Sequence, residues 1–266
     1  MKQKCLVGML AVLLIGLLGT AIQAQETAIE DDGDFLLIFE DVEDENGQAV
    51  RQFLLEEGRF DELLAILNEI VLPTDITIHF RSGEPGEAYY NPAEHEVVLS
   101  YEFAALIFEV FADAPYDIYL DSPENVAAAT IDTLEYVLFH EVGHALVHVL
   151  DIPITGREED AVDALSAVML VEVLEEPDIL TSAADFYDLI SMSKQEISDE
   201  ELWNEHALDE QRYYNLVCWC YGNDPEEFEQ VLVDSGMGKD RAERCEEEYA
   251  QIMKSWSTLL APYIKE

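Results

Sequence analysis

Residues 137–146 read VLFHEVGHAL, a run whose only acidic residue is Glu141. The run lies inside a predicted helix that begins at Ser122-Pro123, because serine is a good N-cap and proline is favoured at the first helical position. The helix is expected to end near Leu150, before Pro153. Its two histidines stand four positions apart, so they project from one face, about 6 Å apart along the axis.

The pair His140 and His144, with Glu141 between them, predicts a zinc site. Two imidazoles at this spacing can bind one ion, and Glu141 can reach a water molecule on that ion. Zinc lowers the pKa of such a water, so the carboxylate can take its proton as general base. The uncharged flanks favour a dry site, in which this effect is stronger. The alternative is a pair of hydrogen-bonded core histidines.

A third ligand is expected from the segment after this helix. His148 continues the same face but lies about 12 Å along the axis from His140, too far to share one ion with it. We interpret His148 as a packing or supporting residue. If a second helix starts at Thr155 and turns back antiparallel, Glu159 reaches the level of the second histidine. Glu159 is therefore the predicted third ligand, and Glu158 is the reserve.

Two further roles are predicted for acids on this second helix. Asp163 lies one turn beyond Glu159 and is expected to accept a hydrogen bond from the free ring nitrogen of His140. Thr155 and Glu158 have the spacing of a capping box, so Glu158 is expected to close the helix start. A solvated helix face is the alternative reading of these acids.

Two histidines followed by a glutamate resemble the gluzincin pattern, HExxH…E. Much of the chain also resembles a bacterial family of proposed zinc metallopeptidases that is catalogued as a domain of unknown function. The matching stretches are residues 72–73, 76–80, 88–92, 101–102, 156–160, 206–212, 221–225 and 241–245. The resemblance covers most of residues 50–262 and implies a zincin-like fold and peptidase activity.

A hydrolase of this kind also needs a group that stabilises the oxyanion opposite the zinc. Residues 206–214 carry His206, Arg212, Tyr213 and Tyr214. His206 is the first choice as a catalytic residue, with a surface or capping histidine as the alternative. The two tyrosines fit a core position better.

The rest of the chain predicts an α+β fold, with a small sheet and a helical majority. Apolar residues at helical spacing predict a helix over residues 50–71, and alternating residues predict strands over 76–80 and 96–101. Further helices are predicted at 155–175, 178–192, 203–220, 225–234 and 238–260. The histidine motif would then lie on a central helix of a zincin-like domain.

Residues 1–24 have the pattern of a signal peptide, with two lysines, an apolar run from Leu6 to Leu18, and Ala24 at the cleavage point. Removal of this signal peptide would give a secreted or periplasmic protein with no stable membrane span. The alternative is that the segment stays uncleaved as a membrane anchor. Residues 25–48 are expected to be an acidic flexible lead with one strand at most, and 49–266 the metallopeptidase domain.

Three cysteines follow the predicted signal peptide, and an oxidising compartment would permit a disulfide between two of them. Cys218 and Cys220 lie two positions apart on a predicted helix and point in different directions. Only one can readily face Cys245. A Cys218–Cys245 disulfide is favoured, with Cys220 free.

The chain has 58 acidic residues against 13 lysines and arginines. Such a surface repels nucleic acid and anionic membranes. It indicates either adaptation to salty surroundings or an ordinary acidic exported protein.

The predicted function is zinc-dependent hydrolysis of a peptide or protein substrate. The alternative is a non-catalytic, zinc-holding binding or scaffold protein of the cell envelope, and the oligomeric state is left open.

Overall fold

The computed structural model describes residues 30–120, 122–194 and 196–265. The strands are β1 (Phe35–Phe39), β2 (Ile76–Arg81), β3 (Ala88–Asn91) and β4 (Glu96–Ser100). The helices are α1 (Glu45–Glu57), α2 (Arg59–Leu67), α3 (Tyr101–Ala112), α4 (Pro123–Val149), α5 (Glu158–Val168), α6 (Ile179–Ser193), α7 (Asp199–Trp203), α8 (Asp209–Asn223), α9 (Glu229–Asp234), α10 (Lys239–Ala242) and α11 (Cys245–Leu260). A π-helical turn, Met169–Val173, follows α5, and a 3₁₀ turn, Ala261–Tyr263, follows α11. The α+β prediction, with a small sheet and a helical majority, is confirmed.

The four strands form one mixed sheet in the order β1-β2-β4-β3. β1, β2 and β4 run parallel, and β3 is antiparallel to β4 at the edge. Ile76, Ile78 and Phe80 are buried, whereas the residues between them are half-buried. The same alternation in the sequence predicted strand β2. Strands β3 and β4 contact α4, so one edge of the sheet lies beside the histidine helix.

Residues 30–48, within the expected acidic lead, contain the one strand that the sequence allowed and the start of a helix. Phe35–Phe39 pairs with β2 along its whole length, and the Phe35 side chain is buried in the core. Helix α1 then begins at Glu45, capped by the Asp44 side chain. Pairing and burial make this stretch an integral part of the sheet layer, because an apolar residue on a paired strand gains by leaving water. The predicted signal peptide, residues 1–24, lies outside the described residues.

Helix α4 is the central element and is buried on nearly all sides. It packs against α3, α5, α6 and the β3–β4 edge of the sheet. A helix with apolar residues all round its circumference is stable only when it is enclosed in this way. The observed bounds, Pro123–Val149, match the predicted helix to within one residue. The histidine motif is therefore held on the most enclosed helix of the fold.

Helix α5 packs closely against α4 beside the motif. A Cβ added at Gly143 would lie 2.8 Å from Cβ of Val162 and 2.9 Å from its Cγ1. No residue larger than glycine fits at position 143 without moving Val162, a stiff, β-branched neighbour. The predicted return of the second helix along the first is confirmed, and Gly143 sets how near the two helices come.

Three other local predictions need correction. Gly58 adopts a left-handed conformation, with φ 69°, and divides the expected helix over 50–71 into α1 and α2. Helix α3 was not predicted, although Ser100 caps it. Helix α5 begins at Glu158, with Arg157 as an N-cap that makes no side-chain bond, so the expected capping box of Thr155 and Glu158 does not form.

The carboxyl-terminal helices are joined by the predicted disulfide, Cys218–Cys245. It links α8 to the first residue of α11, and Cys220 is free and buried. Among the described residues, no helix is both long enough and apolar enough to cross a membrane.

Candidate metal centre

His140, Glu141 and His144 lie where α4 faces α5. His140 and Glu141 are buried, and the His144 side chain is 15 % exposed. The two imidazole rings are 5.0 Å apart between centroids, as their four-residue spacing on one helix requires. The motif therefore presents two imidazoles toward the same space.

Glu159 on α5 completes a cluster with the two histidines. One donor atom from each of the three residues lies within 4.8 Å of the others. Glu159 Oε2 is 3.1 Å from His140 Nε2 and 3.3 Å from His144 Nε2. Ligands bonded at about 2.0–2.1 Å to one tetrahedral ion lie roughly 3.3 Å from each other. The donor set and its spacing thus fit a zinc-sized ion, which His140, His144 and Glu159 would hold.

The other nitrogen of His140 is held from behind by Asp163. His140 Nδ1 lies 2.7 Å from Asp163 Oδ1, so the ring turns its Nε2 toward Glu159. Tyr136 donates its hydroxyl to the same carboxylate oxygen at 2.8 Å. Burial acts to raise the pKa of Asp163, but Arg212 and His140 hold it well below the usual range. The carboxylate is therefore ionised, as an orienting partner for a metal-bound histidine should be.

Arg212 on α8 neutralises Asp163. Its Nε donates to Asp163 Oδ2 at 2.9 Å, and its Nη2 contacts Oδ1. The guanidinium also stacks 4.1 Å from the Tyr187 ring. A paired charge in the interior is tolerated where an unpaired one is not. Sequence reasoning placed Arg212 among the candidates for oxyanion stabilisation, whereas the structure places it behind His140.

Glu158 has a different role from the one predicted. Its Oε1 lies 2.8 Å from His144 Nδ1, so it orients the second histidine as Asp163 orients the first. The reserve ligand position is not used, because the Glu158 carboxylate reaches the outer nitrogen of the ring and not the donor cluster. Each imidazole is thus fixed by a carboxylate on its Nδ1 side.

The charges of the cluster favour a cation at its centre. Burial acts to lower the pKa of His140, but Asp163 and Glu159 raise it to about 9. Burial acts to raise the pKa of Glu159, but the surrounding histidines hold it well below its usual range. The carboxylates therefore stabilise positive charge here, whether a proton or a metal ion supplies it. Burial raises the pKa of Glu141, which suits a group that must take up a proton near neutral pH.

His206 and His148 lie at the same cleft but differ in position. His206 Nε2 is 3.0 Å from Glu159 Oε2, and its ring stacks over His140 with centroids 6.1 Å apart. The structure therefore brings His206 to the cluster. His148 is outside the donor cluster, as predicted, and its Nδ1 lies 2.9 Å from the Tyr90 hydroxyl. Tyr90 was missed by sequence reasoning, because only tertiary structure brings edge strand β3 beside α4.

The donor cluster opens into a cleft of about 610 Å³. Glu141, His144 and Glu159 line it, with Tyr90 and His206 at other points of the wall. Arg157, the residue before α5, lines it as well. The cleft therefore gives a ligand direct access to Glu141, His144 and Glu159.

The fold and the site define a class of protein: an α+β domain in which two histidines of a central helix and a carboxylate of the next helix form a candidate metal site. A family model described as "Putative metallopeptidase" matches residues 39–260. The match spans most of the chain, which belongs to this family, and the predicted resemblance is confirmed. A search of curated proteins and a search of solved structures gave no match.

Proposed function

We propose that this protein is a zinc-dependent peptidase of the gluzincin type, with Glu141 as the general base. The observation that carries the proposal is the convergence of His140 Nε2, His144 Nε2 and a Glu159 oxygen at the spacing of a tetrahedral ion. Glu141 lines the same cleft. A metal-binding scaffold would not need this carboxylate beside the donor set, so its presence favours catalysis.

Each residue has a defined task in this proposal. Bound zinc would polarise a substrate carbonyl and lower the pKa of a water molecule. The Glu141 carboxylate accepts the proton of the attacking water and then passes it to the nitrogen of the leaving amine. His206 lies at the cluster edge, where an Nε2–H can donate to the developing oxyanion. Asp163 and Glu158 keep the two ligand rings in place from their Nδ1 sides.

We also propose that the protein acts outside the cytoplasm, in a secreted or periplasmic form. The signal-peptide pattern of residues 1–24 supports this location, and so does the disulfide between Cys218 and Cys245, which persists in oxidising compartments.

The test is digestion of a broad peptide library by the purified chain, with and without a chelator. Glu141→Gln should retain about one zinc per chain by elemental analysis but lose cleavage, because the base is removed and no ligand is. His140→Ala and His144→Ala should lose both zinc and cleavage. Glu247→Gln, the same change at an exposed position on α11, should keep both.

Cleavage by Glu141→Gln at the wild-type rate would show that the base is another group. Stoichiometric zinc without any chelator-sensitive cleavage would favour the alternative, a zinc-holding binding or scaffold protein.

A further inference from the structure

The few cations of this chain are mostly paired. Eleven lysines and arginines lie in the described ranges, and eight of them have a carboxylate oxygen within 4.0 Å. Among the described residues, the exceptions are Arg157, Arg244 and Lys254. With 58 acids in the sequence, an arginine that meets none of them stands apart, because carboxylates are its preferred partners.

Arg157 occupies a particular place among these three. It lines the cleft of the metal centre, together with Glu141, His144 and Glu159. It also lines two adjoining cavities, of about 620 Å³ and 540 Å³. Arg157 therefore borders all three cavities, and one of the three contains the proposed reaction centre.

The larger of the two adjoining cavities has the composition of a ligand-binding groove. The larger one lies between the start of α5 and α11, with Trp256 and Leu259 on its wall, and it also contains Lys254. The smaller one is more polar, with Glu210 and Gln211 beside Tyr214 and Trp219. Apolar walls with a few fixed polar groups are the usual composition of a ligand site. Arg157 and Lys254, two of the three cations without a carboxylate partner among the described residues, both border the larger groove.

The nearby acids do not neutralise Arg157. Glu158 is bonded to His144 and Glu159 to the histidine cluster. Asp160 borders the same two cavities, but neither of its carboxylate oxygens lies within 4.0 Å of a guanidinium nitrogen. The Arg157 side chain makes no capping bond to α5. It is thus free to bind a carboxylate from outside the chain.

We propose that Arg157 is a specificity-determining residue that binds a carboxylate of the peptide substrate, with Lys254 extending the preference along the larger groove. The inference rests on the proposed peptidase function. Arginine presents paired N–H donors that match a carboxylate in a bidentate manner. Arg157 and the ligand Glu159 are two residues apart, so their Cα atoms are separated by at most about 7 Å. An extended peptide advances about 3.3 Å per residue. The recognised carboxylate accordingly belongs to a residue close to the scissile bond.

This carboxylate has two possible sources, a glutamate or aspartate side chain and the carboxyl terminus of the peptide. A matched peptide set separates them. Starting from a peptide that the enzyme cleaves, each position from three before to three after the scissile bond carries either Glu or Gln. A second series of shortened peptides ends in either a free acid or an amide. The values of kcat and KM are measured with the zinc-loaded full mature protein.

For the wild type, we expect kcat/KM to be about tenfold or more higher for one acidic peptide than for its neutral partner, as for one charge-assisted hydrogen-bonded pair. In Arg157→Gln this ratio should fall to near one, while kcat/KM for the neutral peptide stays within about twofold. Arg244→Gln is the matched control, since Arg244 is also an exposed, unpaired arginine of the described chain but borders none of the three cavities. It should keep the wild-type ratio. Lys254→Gln should reduce the preference partially.

The outcome identifies the source of the carboxylate. A preference within the internal series assigns a side chain, and a preference for free acid over amide assigns the carboxyl terminus. No acid preference in the wild type, or an equal preference in Arg157→Gln, overturns the inference, although cleavage of the neutral peptides still supports the peptidase function. Absence of all cleavage overturns the peptidase function, and the inference with it.

Discussion

Replacing Arg212 by glutamine should destabilise the fold strongly, because the change removes the guanidinium that pairs both oxygens of the buried Asp163 carboxylate. Both side chains are nearly inaccessible, at 11 % and 7 % exposure. Two nitrogens of the guanidinium contact the carboxylate, and the Tyr187 ring covers the guanidinium face.

The expected size of the effect follows from the asymmetry of buried ion pairs. Breaking one by removing a single partner costs about 3–5 kcal/mol, because the remaining charge is uncompensated. Arg212→Gln should therefore lower the free energy of unfolding by that amount. Asp163→Asn should also lower the free energy of unfolding, since it leaves the Arg212 guanidinium without its carboxylate partner. The double variant retains neither charge and should lose at least about 2 kcal/mol less than the sum of the two single changes.

The assay is urea unfolding of the chelator-treated protein at neutral pH, with the disulfide intact, for all four members of the cycle. Removing metal separates the stability of the ion pair from zinc binding. Arg212→Lys is the matched control, because it keeps the charge but cannot form the same two-pronged contact, and it should fall between wild type and Arg212→Gln. Since domains of this kind have about 5–15 kcal/mol of total stability, the single variants should remain measurable at low temperature.

Two results would refute this reasoning. A loss of less than about 1 kcal/mol in Arg212→Gln would place the pair in the range of an exposed salt bridge. Additive single and double variants would show that the two side chains stabilise the fold independently.

Three further outcomes are expected. Glu159→Ala should weaken zinc binding in a chelator competition more than Glu158→Ala, which should lose about 10–100-fold as a partner that orients a ligand; the reverse order would make Glu158 the ligand. Burial raises the pKa of Asp185 from 3.8 to about 6, so the folded state binds its proton more tightly and wild-type stability falls as pH rises through this window. Relative to wild type, Asp185→Asn should gain about 2.4 kcal/mol between pH 4 and pH 7, and parallel stability curves in urea titrations at each pH would contradict this. Replacing Cys218 and Cys245 by alanine should cost about 3.5 kcal/mol, from a sequence separation of 27 residues, and should make unfolding insensitive to reductant; unchanged sensitivity would mean that another thiol pair is involved.

The parts of the site that lie on one helix, or on two helices joined by a short turn, could be predicted from the sequence. His140 and His144 share a face because of helical periodicity alone. Glu159 and Asp163 follow from the rise per residue once α5 returns along α4. These positions depend on local geometry, so a single sequence was sufficient to place them.

Contacts between distant elements could not be predicted in this way. Arg212 meets Asp163 only because α8 packs beside the centre, 49 positions further along the chain. Tyr90 reaches His148 across 58 positions. Glu158 has a spacing that suits a helix cap, but the imidazole of His144 is available in the folded protein and takes the carboxylate instead. Where one side chain could serve either as a local helix cap or in a tertiary contact, the sequence pattern alone does not show which of the two forms.

The close approach of α4 and α5 at Gly143 bears on which ions the centre can accept. The predicted ligands come from opposite sides of this contact, two from α4 and one from α5. Their separation is therefore limited by the apolar surface of Val162, and interiors packed at this density resist stretching. Zinc, with bonds of about 2.0–2.2 Å, suits such a gap, whereas calcium, with bonds of about 2.3–2.6 Å and six to eight oxygens, would require the helices to separate. Discrimination by ionic radius would then be a property of a glycine that never touches the metal.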